Sequence, residues 1–467
     1  MPKRPRLKRI LWAFAALLLI ALLAFAIPFC KKTFPIISGY TAKMMCSEVF
    51  VGGRDPREVA EKDLKVFPLN LSSCEVDFKD SSVTANVFGL SRRKAIFRRG
   101  LGATLISQLT EDSLRRQSFL LPQPPAVNTA EIAWPMGDKL ADSLPSNVDK
   151  ARLQVAVDDF FAEPDKKHKK ITRALLVVYK GQIIAERYAK PFSKDSRFLG
   201  WSIAKSVTST LIGILVKEGL LKPDADAPVA AWSTGNDPRH SITVKNLLQQ
   251  VSGLHFAEDY SKSSDATIML YQKADMAAFA ASRKLDTMPG TRFRYSSGNS
   301  NLLSAIVRTT VKADYHAFPY TSLFYKLGMY HTVWEPDESG TYVGSSYLYA
   351  SARDWARFGM LYLNNGYCNK EQLLPADWVS NSAMPLQVAN FDHYGYQFWL
   401  NTGRKGGKGK KNYPHAPDDM YYADGYNGQN LFLMPSQDLL VVRLGMTTDG
   451  GYHADRSLKL LLDAIRQ

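Results

Sequence analysis

The sequence predicts an α+β fold, an antiparallel sheet covered by helices, preceded by a transmembrane helix and a small β-containing module. Three observations predict it. Ile10–Phe29 runs 20 residues without a charge. Short alternating runs fill residues 39–106, and a Pro-rich stretch follows at 120–138. Beyond that stretch, strand patterns stand at both ends of a long region whose middle is helical. At 467 residues, with 45% hydrophobic and 22% charged, the chain is of ordinary globular composition and holds one large or two medium domains.

Residues 1–30 read as a basic leader, "MPKRPRLKR", and an apolar helix long enough to cross a bilayer. Basic residues ahead of the span place the N-terminus in the cytoplasm and the rest outside. Ala24-Phe25-Ala26 would serve as a signal cleavage site, but a signal's apolar region is usually shorter, which favours an uncleaved anchor. Bulky Phe29 argues against lipid modification of Cys30. Residues 31–118 form the small module, with "CEVDF" and "SVTANVFGL" as strands. Residues 119–145 read as an extended linker. The main domain spans 146–467. It opens with a helical run and the hairpin "ALLVVYKGQIIAERY", turning at Lys180-Gly181. It closes with "NLFLMPS" and "DLLVVRLG" flanking a turn, then the helical "SLKLLLDAI".

The net charge is +15, carried partly by the leader, "KKHKK" (166–170) and "RKGGKGKK" (404–411). Neither internal run is interleaved with aromatics, so they read as solvated loops and not as a nucleic-acid surface. Export permits disulfides, and among Cys30, Cys46, Cys74 and Cys368 the pair Cys46–Cys74 is the one expected within a single module. No Cys or His spacing suggests a metal, and no cofactor is implied.

One stretch carries chemistry. "GWSIAKSVTST" (200–210) opens an apolar helix that should stop at Gly219, yet its first turn holds Ser202 and Lys205 on one face. Lysine is rarely buried unless paired or used. Desolvation would lower its pKa and supply a base, and a serine one turn earlier would become a nucleophile. The Ser202 amide at the helix start would suit an oxyanion hole. A capping Ser202 with a snorkelling Lys205 fits this stretch equally well. A second Ser-x-x-Lys, Ser91 and Lys94, lies in a strand-like polar stretch and reads as a solvated edge. Two later stretches add to the first. "PGTRFRYSSGNSNLLSAIV" places Tyr295 between a Pro-Gly turn and a new helix. "YYADGYNGQNLFLMPS" places Gly425 and Gly428 ahead of a strand, where a ligand can approach the backbone closely.

In this order the pieces resemble the serine β-lactamase and penicillin-binding-protein superfamily, class C branch, whose motifs are Ser-x-x-Lys, Tyr-x-Asn and Lys-Thr-Gly. The resemblance covers residues 150–467 and implies a β-lactamase/transpeptidase-like sheet flanked by helices. Ser202 and Lys205 match the first motif, and Tyr295 the second, with Ser297 where asparagine is expected. Tyr426-Asn427-Gly428 stands at the third, keeping only the glycine. "ITVKNLLQQVSGL", "YSSGNSNLL", "SSYLYASARDWARFGMLYL" and "GYNGQ" look like 6-aminohexanoate-dimer hydrolases and related carboxylesterases. The family's third-motif lysine holds a β-lactam's carboxylate. Tyr426 cannot supply that charge, and Arg443 on the following strand is not a secure substitute. The resemblance therefore implies a bacterial serine hydrolase of small esters or linear amides, anchored in the inner membrane and facing the periplasm. Ser202 would attack, Lys205 and Tyr295 share the base role, and the amides of Ser202 and Gln429 hold the oxyanion. Tyr260 and Trp399 are aromatic candidates for the cleft wall. A penicillin-recognising sensor, a weak β-lactamase or D-Ala-D-Ala peptidase, and a membrane-tethered scaffold are the alternatives.

Overall fold

The computed structural model describes residues 4–165, 168–403, 410–448 and 452–465. Residues 166 and 167 of the first internal basic run and most of the second, 404–409, therefore lie outside the described residues. Helix α1 runs from Arg4 to Phe50. Its apolar part is wholly unburied, with a mean hydropathy of 2.9 over its best 18 residues, long and apolar enough to cross a membrane. From Ile36 onward the same helix is buried in the protein. The boundary expected at residue 30 thus falls inside a helix, and the strands expected from residue 39 begin only at Ser72. "IISGYTAKMMCSEVF" is helical because protein surrounds it on every side, and tertiary burial overrides a weak local pattern.

Strands β1 (Ser72–Asp77), β2 (Ser82–Val87), β3 (Leu90–Arg98) and β4 (Gly102–Ile106) follow as a four-stranded meander packed on α1. Lys94 of the second Ser-x-x-Lys lies on β3, pairing with Asp80 at 2.7 Å and Glu111 at 2.9 Å. That copy is a surface ion-pair edge, as expected. Cys46 is buried in α1, Cys74 is half-buried in β1, and both are free, so the expected disulfide is not formed. Each sits in apolar packing that fills its site without a bond.

The main domain is built from α2 (Lys150–Phe161), β5 (Thr172–Tyr179), β6 (Gln182–Tyr188), α3 (Ile203–Lys217), α4 (Ser297–Val311), α5 (Ala352–Leu363), β7 (Trp399–Leu400), β8 (Tyr421–Gly425), β9 (Gln429–Met434), β10 (Leu439–Gly445) and α6 (Asp455–Asp463). Its sheet is antiparallel throughout, in the order β7-β8-β9-β10-β5-β6. The hairpin at Lys180-Gly181 forms as predicted, both residues with positive φ. Along β5, Leu175, Val177 and Tyr179 face α2 and α6, while Ala174, Leu176 and Val178 face α3 and α5. Burial on both faces explains why "ALLVVY" is apolar at every position and not alternating.

The module and the main domain share one continuous apolar core. Their polar seam is equally tight. The Glu338 carboxylate accepts the amides of Ser107 and Leu109, each at 2.6 Å. Glu335, fully buried, accepts the Ala103 amide at 2.6 Å, the Ser47 hydroxyl at 2.9 Å and the Lys43 ammonium of α1. The Pro-rich stretch has no helix or strand between residues 119 and 145, but it is pinned and not free. Arg357 of α5 donates to the carbonyls of Pro135 and Gly137, and Arg353 to that of Asp138. Removing one partner of a buried ion pair leaves an uncompensated charge, costing about 3–5 kcal/mol. Lys43→Met should therefore lower the unfolding free energy by that order in denaturant melts, and Lys43→Met with Glu335→Met should recover most of it. Equal stability of the single and double variants would show that the pair does not join the two parts.

Candidate active site

The turn that carries Ser202 is tightly built. After the short strand Phe198–Leu199, Gly200 sits so close to the Trp355 ring that a Cβ there would lie 2.3 Å from it. Trp201 then adopts φ 47°, a conformation a bulky residue holds only when its surroundings force it. Its ring is enclosed by Tyr40 of α1 at 6.3 Å, Tyr347 at 5.8 Å and Tyr426 at 5.5 Å between centroids. This turn delivers Ser202 to the N-cap position, immediately before α3. The Ser202 side chain makes no capping bond. The Lys205 ammonium instead donates to Ser202 Oγ at 2.9 Å and to the Ser345 carbonyl at 3.0 Å.

Lys205 is 1% exposed and does not snorkel, which removes the capping alternative. Burial brings its pKa down to about 8, with the Glu258 carboxylate pulling weakly the other way. Its Nζ also lies 4.9 Å from the centre of the Tyr295 ring. Burial first, and then the neighbouring Tyr394, hold the Tyr295 phenol well above its usual value, while a hydrogen bond to Ser202 opposes them. Lysine is thus the group near neutrality, and tyrosine stays protonated.

A polar network fixes Tyr295. The Gln250 side-chain oxygen accepts from the Ser296 amide at 3.0 Å and Asn299 Nδ2 at 2.8 Å, and its backbone carbonyl accepts the Arg294 amide at 2.8 Å. Gln250 Nε2 donates to Gln397 Oε1, which also accepts from Ser300 of α4, and the Gln397 carbonyl accepts from Ser206 of α3 at 2.7 Å. Trp399 on β7 stacks on the Tyr295 ring at 5.2 Å. It therefore supports the tyrosine from the side.

Ser297 is fully buried, and its hydroxyl donates to Glu258 Oε1 at 2.5 Å. Its amide donates to Glu258 Oε2 at 2.8 Å. Tyr260 donates to the same carboxylate at 2.6 Å and stacks against Tyr426 at 6.4 Å. Tyr260 and Tyr426 are about half exposed, at 46% and 54%, and stand at the rim.

The third-motif residues are distributed differently from the expectation. Gly425, at the end of β8, lies against the nucleophile's loop, where a Cβ would come within 2.3 Å of the Gly200 carbonyl. Gly428 faces Arg443 and Thr447 instead, and Gln429 turns its side chain to Tyr426 O and the backbone of Gly445. Asn427 closes the turn at φ 61°. Gly425 and Tyr426 are therefore the hairpin residues that meet the Ser202 loop. Arg443 is fully buried, its guanidinium bonded to Gly428 O, Thr447, Thr172 and Lys170 O, so it does not replace the missing lysine. Among the described residues, no cluster of His, Cys, Asp and Glu is arranged to hold a metal.

Sequence reasoning missed Glu258, Asp424, Gln250, Gln397 and Ser345. Glu258 lies two residues before Tyr260, and Asp424, whose charge also opposes ionisation of Tyr295, directly precedes Gly425. The two glutamines act through contacts about 150 residues apart, which leave no local signal.

A family model described as beta-lactamase matches residues 157–464. The 6-aminohexanoate-dimer hydrolase of Paenarthrobacter ureafaciens is 26% identical over 327 residues, covering 63% of this chain and 78% of that protein. Among solved structures, a Bacillus anthracis protein assigned as a 6-aminohexanoate-dimer hydrolase is similar with a TM-score of 0.55 at 21% identity, over 70% of this chain and 87% of its own. A penicillin-binding protein homologue from Caulobacter crescentus is similar with a TM-score of 0.53 at 15% identity, over 69% and 98%. The antiparallel sheet, its flanking helices and the matched span agree: the chain belongs to the beta-lactamase family of serine hydrolases, related at low identity to 6-aminohexanoate-dimer hydrolase.

Proposed function

We propose that this protein is an exported, membrane-anchored serine hydrolase that cleaves a small ester or short linear amide through an acyl-enzyme on Ser202. The observation that carries the reading is the desolvated Lys205 ammonium within 2.9 Å of Ser202 Oγ. In its neutral form Lys205 accepts the Ser202 proton as Oγ attacks the carbonyl carbon. The amides of Ser202 and Tyr426 hold the oxyanion. Tyr426 takes the place expected for Gln429, because Gly425 and Tyr426 abut the Ser202 loop. Such a donor is worth on the order of 10²–10³ in rate. Tyr295, protonated and hydrogen-bonded to Ser202, passes a proton to the departing alcohol or amine. The Lys205 ammonium then returns its proton to Tyr295; water attacks the acyl carbon as the neutral Lys205 amine takes its proton, and that proton passes to Ser202 Oγ as the ester bond breaks, releasing the acid and free Ser202.

Two features favour esters and linear amides over β-lactams. No lysine stands in the third motif, and Arg443 is buried and fully bonded away from the cleft. The basic leader and the apolar Ile10–Phe29 support an inner-membrane anchor with the catalytic domain on the periplasmic side.

Ser202→Ala should abolish release of p-nitrophenol from a p-nitrophenyl ester while leaving the melting temperature unchanged. Turnover that survives in this variant would sink the proposal. A stable wild-type mass adduct without turnover would point to a sensor instead. The pH dependence follows from Lys205. The neutral amine dominates above about 8, so kcat/KM should rise through pH 8 and fall about tenfold per unit below it.

Lys205 also opposes folding. Its folded-state pKa lies below its unfolded one, so the native state bears the full cost of the buried charge below about pH 8. That cost is of order 3 kcal/mol and vanishes as pH rises to 10.5. Lys205→Met should therefore lose activity yet melt higher than the parent at pH 6–7, the gap closing towards pH 10. Equal melting across that range would show that the lysine is not desolvated.

A further inference from the structure

At one end of the module, β2 and β3 are joined by a two-residue turn, Phe88-Gly89, with φ 52° and 77°. Turns of this type favour Asn-Gly, because both central residues need positive φ. Phe88 accepts that unfavourable backbone and still leaves its ring 70% exposed, beside Leu90 at 60%. Turn geometry does not call for phenylalanine there.

The position of the turn gives a reason. The Phe88 ring meets the ring of Phe34 of α1 edge-on at 6.2 Å, and Ser38 Oγ donates to Ser91 O at 2.6 Å. Phe34 lies five residues beyond Phe29, the last residue of the uncharged stretch. At 1.5 Å per residue that is about 7–8 Å along the helix, at the outer edge of the headgroup layer that flanks a hydrocarbon core of about 30 Å. A further apolar group points to the same end. Phe67, 76% exposed, shortly precedes Ser72, the residue of β1 that pairs with Val87 at the turn. Exposed Lys31, Lys32 and Arg92 stand nearby in sequence, the charge that anionic headgroups attract. The opposite end of the sheet lies next to Phe50, where Phe78 packs against it.

We propose that the Phe88–Leu90 turn dips into the headgroup layer of the membrane that α1 crosses and forms a second contact with an anionic lipid surface. A single helix leaves a domain free to swivel about its axis, and a second contact fixes the orientation. The inference rests on the reading of Ile10–Phe29 as a membrane span.

The test uses the full chain, in a Trp12→Phe background, reconstituted into phosphatidylcholine and phosphatidylglycerol vesicles with brominated acyl chains. Tryptophan is introduced singly at Leu23, Phe88 or Phe78, and quenching is read against the background protein. Leu23→Trp and Phe88→Trp should be quenched, Phe78→Trp not. Quenching at Leu23 without quenching at Phe88 overturns the turn's role and leaves the anchor intact. No quenching at Leu23 removes the anchor, and the inference with it. Phe88→Asn should keep ester turnover and should not lower melting in detergent. A drop in melting would mean that Phe88 serves the soluble fold and would overturn the inference.

Discussion

The structure turns on one unfavourable act, holding the Lys205 ammonium out of water beside Ser202. A lysine in that position tends to escape along its own flexible stem, so the surroundings must close every exit. They do so with α3 itself, buried along almost its whole length, with the Ser345 carbonyl as a second acceptor, and with the Tyr295 ring across the ammonium. The buried Gln250–Gln397 network is best understood in this light. It ties the loop of Tyr295 to α3 and α4, so the group opposite the lysine cannot drift. A fully satisfied polar network specifies one arrangement where an apolar core would tolerate several.

The same constraint explains why α1 continues as a helix past its apolar half. Tyr40 of α1 encloses Trp201, the strained residue immediately before Ser202, and Gly39 packs within 3.2 Å of Tyr271 at its would-be Cβ. A few residues on, Lys43 meets Glu335, and Tyr349 donates to Glu48. The buried half of α1 is therefore part of the catalytic domain's interior. Tyr40 lies 11 residues past Phe29, about 16 Å along the helix. Whatever surface holds the apolar half sets the height of the nucleophile, with no flexible linker between them.

The site was legible in the sequence where its chemistry is local. Ser202 and Lys205 share one helical turn, and a buried charge at the head of an apolar helix is visible without a structure. The hairpin at Lys180-Gly181, the helix stop at Gly219 and the strands around the 435–438 turn were legible for the same reason. What failed was set by contacts distant in sequence. Residues 36–50 look strand-like until the module and main domain close around them. The third motif was shifted by one turn of hairpin, because spacing alone does not say which glycine meets Gly200. Glu258 was invisible because its importance comes from Ser297 and Tyr260, whose hydroxyls converge on it only in the folded chain.

That carboxylate also bears on what the cleft excludes. Glu258 accepts three hydrogen bonds, from the Ser297 amide and hydroxyl and from Tyr260, a set that fixes its position. Asp424 adds a second negative charge that acts on Tyr295. A substrate carboxylate entering near the hydroxyl of Ser202 would meet these two charges across a partly dehydrated cleft, where like charges repel more strongly than in water. Here the nearby arginine has been taken into the sheet, its guanidinium bonded to Gly428 O and Thr172. A neutral group beside Ser202 would avoid that repulsion and need no counter-charge.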